Sequence, residues 1–594
     1  MTGWVSSAAA AALALLVLPA SAQPIQLIPA QRPQVPLIVQ PSGETPAQAV
    51  PEGERPAVES APVQVVPLQA PDVSSVGTLT DEAAGSYGPD MWRGSDRAQV
   101  ERGLLLIEPT RGSAATRAMQ LRLLRTAATV PEGQPIAKSL LGLRVERLVA
   151  LGQVEAGLAL SRLAPATLND PRLARAAADA AWLRNENASA CTTAQRWVRE
   201  DLDPYWLKSG FLCRVLDNDL NAAALSLTLL REQGIDDTGF LTLADILVNP
   251  RAGKLESLTQ PGPLNLAMLR ATKRPTPADA FADAPPAVQA ALLDLAGGDA
   301  DQRVIAAEGA ETAGALAGDA LAKAYAAITF TPEEKRDPTA SLAKLDANPA
   351  RARALAFQAA AAQSVPIVRA EALRRAWVLA ARNGQLPAMA DATLPMTREL
   401  PVSEELGFAA ADIYRALVAA GDQRAARQWY AWARARPAEV DKDAAATVAS
   451  IWPLVLLADA GGSNGFDPAR WQAWVESQKD IAALLRQRRS ATLLFAFEAL
   501  GYAVPDSAWA DVPPNAAAAS ERAASPVAVR GMQRAADGAR RGETVLYALL
   551  VLGRGGPAGL DAATLGTVLA SLRKVGLDSD ARALALEAAL ARGV

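Results

Sequence analysis

From about residue 95 to the end of this 594-residue chain, apolar side chains recur at three- and four-residue spacing. They fall in pieces of about ten to eighteen residues, the usual length of helices in folded proteins. Gly, Asn, Asp and Pro divide the pieces, and no stretch sustains the apolar–polar alternation of a half-buried strand. The pattern predicts an all-α chain. Composition agrees: 50% of residues are apolar, only 5% are aromatic, and Ala dominates. Ala is the best helix former and lets neighbouring helices approach closely. The length exceeds what one hydrophobic core organises, so several domains or a repeat array are expected.

Four segments share one scheme, a helix, a turn rich in Gly or Asp, and a second helix. They are 143–165 with its break at Gly152, 216–234 at Asp217-Asn218-Asp219, 411–437 at Gly421-Asp422, and 573–593 at Gly576-Leu577-Asp578. A small residue and Gly before the turn, Ala early in the second helix, a central aromatic or Leu and a closing Pro resemble the helical hairpins of tetratricopeptide repeats. The resemblance implies hairpins stacked as a curved α-solenoid, each burying one face on its neighbour.

Residues 1–22 read as a secretory signal peptide. An apolar run at 6–18 is too short for an ordinary membrane span, and Ala20-Ser21-Ala22 supplies a small-residue cleavage site. The alternative is an uncleaved anchor, since residues 1–7 carry no Lys or Arg. Residues 23–75 form a Pro-rich linker whose prolines forbid helix and favour a disordered, extended spacer. Two aliphatic stretches within it, 35–39 and 63–66, could instead add a strand to a partner's sheet. The helical body then divides into 76–250, a Pro-rich interruption at 251–286 with one short helix expected at 264–272, and two further subdomains at 287–400 and 401–594. No later segment is apolar enough to span a membrane, so the mature chain is expected in the periplasm.

The only two cysteines, Cys191 and Cys213, lie at matched distances on either side of a turn at Leu202-Asp203-Pro204. Asp203 and Asp467 are expected to cap helices that open with Pro204 and Pro468, and Ser95 to cap the first long helix. In an oxidising compartment the facing thiols predict a disulfide, with two buried free thiols as the alternative. The secretory segment, the Pro-rich tract, Asp90-Met91-Trp92-Arg93-Gly94-Ser95, the cysteine pair and the closing stretch 575–585 together resemble a group of uncharacterised secreted, Ala-rich helical proteins of Gram-negative bacteria. That resemblance implies a compartment and an architecture, and no activity.

The chain has no histidine. This removes the His-based nucleophile pairs, His-ligated metals and the commonest general base. Two Cys without His leave too few soft ligands for a zinc site, so no metal and no cofactor are expected. Ser-x-x-Lys occurs at Ser341/Lys344 and Ser571/Lys574 without the companion elements of serine acyl-enzymes. Residues 553–558 read as a loop before a helix capped by Asp561, because no strand precedes them. Glu-Ser pairs at Glu59, Glu256 and Glu476 lack the element that follows them in peptidoglycan-cleaving transglycosylases. The formal charge of −4 argues against a nucleic-acid partner, and the Arg486–Arg489 cluster reads as a solvated helix face.

The remaining candidates are aromatic. Trp429, Tyr430, Trp432, Trp471 and Trp474 crowd one region of a chain otherwise poor in rings. Core filling is the favoured role, and an aromatic groove for a peptide or glycan is the alternative. The sequence as a whole predicts an exported, non-catalytic scaffold or adaptor for envelope proteins. A wall-associated factor contacting peptidoglycan, or a divergent wall-cleaving enzyme, is the alternative.

Overall fold

Helix starts are written into the chain as Asp or Ser followed by helix formers, often with Pro first. Asp203 accepts a hydrogen bond from the Tyr205 amide at 2.8 Å ahead of Pro204, and Asp467 does the same for Ala469 at 2.9 Å ahead of Pro468. Asp561 caps the Thr564 amide at 2.8 Å. Each such cap stabilises its helix by about 1 kcal/mol. One expectation needs correction: the first long helix is capped by Asp96, which accepts from the Gln99 amide at 2.9 Å. Ser95 is instead tied back by its own amide to the Trp92 carbonyl, one residue too early to reach the helix.

The computed structural model describes residues 72–137, 139–165, 167–201, 203–249, 251, 253–282, 284–345, 348–437, 439–459, 465–513 and 524–594. The expected signal peptide and the linker up to Pro71 lie outside the described residues. The described residues form 27 α-helices joined by turns and short 3-10 segments, with no strand and three isolated β-bridges. The first ten helices are α1 (Arg97–Leu105), α2 (Ala114–Arg125), α3 (Leu140–Ala150), α4 (Val154–Ser161), α5 (Pro171–Leu183), α6 (Asn187–Trp197), α7 (Pro204–Leu216), α8 (Leu220–Glu232), α9 (Thr238–Val248) and α10 (Pro263–Thr272). Consecutive helices pack as hairpins, among them α3 with α4 and α7 with α8. The turn between helices Ala410–Ala419 and Gln423–Arg434 needs Gly421 at φ 78°, a left-handed conformation that other side chains resist.

Two stretches outside the expected helical subdomains pack on the body. Residues 72–75, assigned to the linker, fold onto the body: Val73–Ser75 is a 3-10 turn. The fully buried Arg144 guanidinium holds this turn by donating to the carbonyls of Ser74 (3.1 Å), Val76 (2.7 Å), Leu124 (2.7 Å) and Thr126 (2.8 Å). The Pro-rich stretch 251–286 is not a gap either. Its helix α10 buries Leu264, Leu266, Met268 and Leu269 and packs on α5 and α9. Arg270 ties it to the end of α5 by donating to the Trp182 and Leu183 carbonyls at 2.7 and 3.1 Å.

The helical body, from residue 72 onward among the described residues, is one unit in its contacts, and its first helices pack on its last. The helix Asp578–Ala591 touches α2 as well as helices Ala410–Ala419, Lys442–Ala458, Ala483–Ala499 and Ala562–Lys574. Its Ala581, Leu584, Ala585, Ala588 and Ala589 are all buried. Polar groups seal the junction. Arg122 of α2 pairs with Asp580 at 2.5 Å, and Glu587 accepts from the Ser113 hydroxyl at 2.5 Å and the Ala115 amide at 2.8 Å. The Gly542 amide donates to the Met91 carbonyl at 2.8 Å.

Two expectations follow from this junction. Leu584→Ala, at a position with no exposed surface, should cost about 2–5 kcal/mol. Because Asp578–Ala591 touches both ends of the body, amide exchange should quicken in α2 as well as in that helix. Exchange quickening only in Asp578–Ala591 would contradict the coupling. Burial raises the pKa of Asp580 and of Glu587, and that of Glu311 to about 7 from its ordinary 4.5. Each carboxyl therefore binds its proton more tightly in the folded chain, so stability falls as pH rises between the two values. The thermal midpoint should be higher at pH 5 than at pH 8, as read by calorimetry.

Candidate functional site

The disulfide hairpin predicted from sequence builds one wall of a cleft. Cys191 on α6 and Cys213 on α7 are bonded, with their Cα atoms 5.6 Å apart. The pairing fixes the two helices side by side. It also supports a stack of Trp197 on Trp206, with centroids 5.8 Å apart and planes 17° apart, and Tyr205 set edge-on to Trp206 at 4.9 Å. Asp203, the cap of α7, stands at the mouth of the cleft.

The opposite walls come from α3 and α5, with Pro263 of α10 and Pro285–Val288 at the far side. The cleft's volume is about 710 Å³, and a second hollow of about 260 Å³ shares Arg175, Asp179 and Asp203 with it. Cavities of this size suit small ligands or single side chains of a partner. Most of the charges along the cleft are held in pairs. Glu146 accepts from Arg172 at 2.6 Å and Arg147 at 2.7 Å. Arg175 lies 4.5 Å from the centre of the Tyr205 ring and 3.6 Å from Asp203. Lys208 meets Asp237 at 2.6 Å in the second hollow.

Asp179 is different. Its Oδ1 accepts a hydrogen bond from the Tyr205 hydroxyl at 2.7 Å, and no cation closes an ion pair with it among the described residues. Burial pushes its pKa up to about 6 and the neighbouring Glu146 adds to the rise, while the Tyr205 bond and Arg175 oppose it. Burial and the facing Asp179 charge hold the Tyr205 hydroxyl protonated, well above its ordinary range. The cleft thus offers one carboxylate poised to titrate near neutrality, on a rigid scaffold of helices. Perturbed carboxyls in clefts are where binding and chemistry concentrate.

Asp179 was not singled out from the sequence, though a signal was present. It falls three residues after Ala176 and four before Leu183, on the buried stripe of an Ala-rich helix. A carboxylate on the core face of such a helix is out of place unless it has a partner or a task.

The aromatic groove needs correction. Trp429, Trp471 and Trp474 are buried, at 2%, 1% and 0% exposure. Trp471 and Trp474 stack on each other at 4.9 Å, and Phe466 links Trp471 to Trp452 and Phe497 within the same core. Alanines leave gaps between helices, and these rings fill them. Only Tyr430 and Trp432 keep part of their surface, Trp432 being covered on one face by the Arg436 guanidinium at 4.3 Å. Ser571 donates along its own helix to the Thr567 carbonyl while Lys574 turns to Asp537, so the Ser-x-x-Lys match there assembles no dyad. Arg489 bonds the Arg592 carbonyl at 2.8 Å and Gln478 at 2.6 Å, so the Arg486–Arg489 cluster is partly structural.

No known protein family, curated protein or solved structure matches this chain. The cleft therefore stands on its own geometry.

Opening the disulfide should loosen the cleft's hairpin wall. Cys191→Ser is expected to cost on the order of 3 kcal/mol in the chain-entropy account of a loop this long. Urea unfolding followed by tryptophan fluorescence would read both the loss and the unstacking of Trp197 from Trp206. An unchanged midpoint and spectrum would show that packing alone holds the hairpin.

Proposed function

We propose that this chain is an exported, non-catalytic adaptor of the Gram-negative envelope, built of tetratricopeptide-like helical hairpins in a solenoid-derived arrangement and working in the periplasm. The signal peptide is removed, and the Pro-rich linker acts as a spacer ahead of the body. Two features favour this compartment. The cysteine pair is bonded, as exported proteins permit. Among the described residues no helix is long and apolar enough to cross a membrane.

The observation that carries the adaptor reading is the cleft beside the disulfide. Its walls are helices locked by a covalent bond, an aromatic stack and ion pairs, so its surface is pre-organised for a partner. Rigid, charge-patterned concavities favour specific recognition and fast encounter. One observation favours a second reading. Asp179, protonatable near pH 6 and close enough to Glu146 to feel its charge, is the kind of carboxyl that wall-cleaving enzymes use as a general acid.

Crosslinking the full chain in intact envelopes, followed by capture and mass spectrometry, tests the adaptor. One or a few envelope proteins should be recovered, and the charge-reversing double variant Arg172→Glu, Arg175→Glu should lose them while keeping its helical circular dichroism. Capture of no protein, with the chain sedimenting on isolated cell wall, would favour a wall-associated factor. Muropeptide release by the pure protein, lost in Asp179→Asn, would overturn the non-catalytic reading.

A further inference from the structure

The charge inventory of the cleft is unbalanced. Glu146, Asp170, Asp179, Asp201 and Asp203 face only three guanidinium groups across the larger hollow. Four of these carboxylates have assignments inside the fold. Glu146 takes two arginines, Asp170 caps α5 at the Arg172 amide, Asp203 caps α7, and Asp201 accepts from the Asp203 amide at 3.1 Å. Asp179 has only the Tyr205 hydroxyl, on Oδ1. Its Oδ2 has no donor among the described residues and is not sealed off in the core, so it opens to the cleft. Beside it the lining is apolar, from Val149, Ala176, Leu183 and Val288.

We propose that this cleft binds a protonated primary amine carried on an apolar stem, with the ammonium on Asp179 Oδ2 and the stem along the apolar lining. An ammonium supplies what the site lacks, a compact cation with several donors. A guanidinium is less suited, because the Tyr205 hydroxyl already occupies Oδ1 and prevents simple bidentate pairing. A carboxylate or phosphate would meet the local excess of negative charge. Ion pairing with Asp179 also removes the cost of holding that carboxylate unpaired in a half-enclosed site. The amine has two possible sources, a lysine side chain of a partner or a free small amine. The lysine source rests on the adaptor reading.

The test uses the full mature chain and isothermal titration with four probes. They are an end-blocked Ala-Lys-Ala peptide, the same peptide with acetylated lysine, end-blocked Ala-Arg-Ala, and pentylamine. The lysyl peptide should bind at least about tenfold more tightly than its acetylated and arginyl counterparts, and Asp179→Asn should remove that preference. Tyr205→Phe, which frees Oδ1 for a second bond, should narrow the preference for the lysyl over the arginyl peptide. Circular dichroism of each variant guards against a trivial folding failure. Binding should weaken from pH 7 to pH 5 as Asp179 takes up a proton. The groups facing it are Tyr205 on α7, Glu146 on α3, Arg172 and Arg175 on its own helix, Asp203 at the mouth, and Lys208 and Asp237 across the smaller hollow, and burial keeps the Tyr205 hydroxyl protonated. Pentylamine binding as tightly as the lysyl peptide would assign the site to free amines, and a clear advantage for the peptide would assign it to a partner's lysine. Equal binding of the acetylated peptide, or full binding by Asp179→Asn, would overturn the proposal. A captured envelope partner without amine binding would leave the adaptor standing and remove only this site. Amine binding without a captured partner would do the reverse.

Discussion

The structure depends on where the helix Asp578–Ala591 lies. A helix at the edge of an array needs one apolar stripe, but this one is packed from several sides and carries Ala and Leu around most of its circumference. Its two inward carboxylates, Asp580 and Glu587, meet α2 and the turn before it. The hairpins that precede it are paired in sequence order, yet they cannot be treated as independent units added one after another. In a simple repeat array each unit leans on its two neighbours. Here the first and last helices share a core, which couples segments more than four hundred residues apart.

Buried charge is the cost of that coupling and of the cleft alike. Arg144 is stabilised only by carbonyl dipoles, which holds residues 74–76 on the body, while burial lowers its pKa to about 10. Arg353 and Glu308 form a buried pair at 2.6 Å that also accepts the Tyr325 hydroxyl at 2.8 Å. Such pairs add little net stability compared with apolar packing, but breaking one partner strands the other. They fix which helix faces meet. Asp580 Oδ2 and Glu311 Oε2 also lack a partner among the described residues, but they are sealed in the interior, whereas Asp179 lines a cleft, and this is the physical ground for regarding its cleft as a site and the others as joints.

Much of the fold was legible in the sequence because its signals are local. Spacing of apolar residues and Asp-Pro caps act within one or two helical turns, so Asp203-Pro204, Asp467-Pro468, Asp561 and Gly421 could be placed correctly. The cysteine pairing was legible because the two residues flank one turn. What sequence spacing could not convey is long-range. The packing of α2 on Asp578–Ala591 joins segments with no shared pattern. The Pro-rich 251–286 reads as a break because each proline is a local breaker; the short helix expected at 264–272 is present as α10, and what spacing did not convey is that it buries four large side chains against α5 and α9. The aromatic cluster could be read either way, since Trp at three-residue spacing fits a core seam and a groove equally well. Asp179 was missed because its meaning lies in Tyr205, twenty-six residues on and across a helical hairpin.

The cleft and the disulfide explain each other. A staple between α6 and α7 contributes most where a local opening would otherwise be easy, and the hairpin beyond it is peripheral: α8 packs mainly on α7 and α9 and leaves Leu225 and Leu229 exposed. Without the bond, motion of α7 would carry Asp203, Tyr205 and Trp206 away from α5 together, breaking the hydroxyl bond that orients Asp179. With the bond, the carboxylate keeps one oxygen fixed and one free. A binding group held that way loses little conformational freedom when its ligand arrives. The same residues that make the hairpin rigid therefore hold Asp179 with one oxygen fixed, so a single covalent bond governs both the cleft and the hairpin beside it.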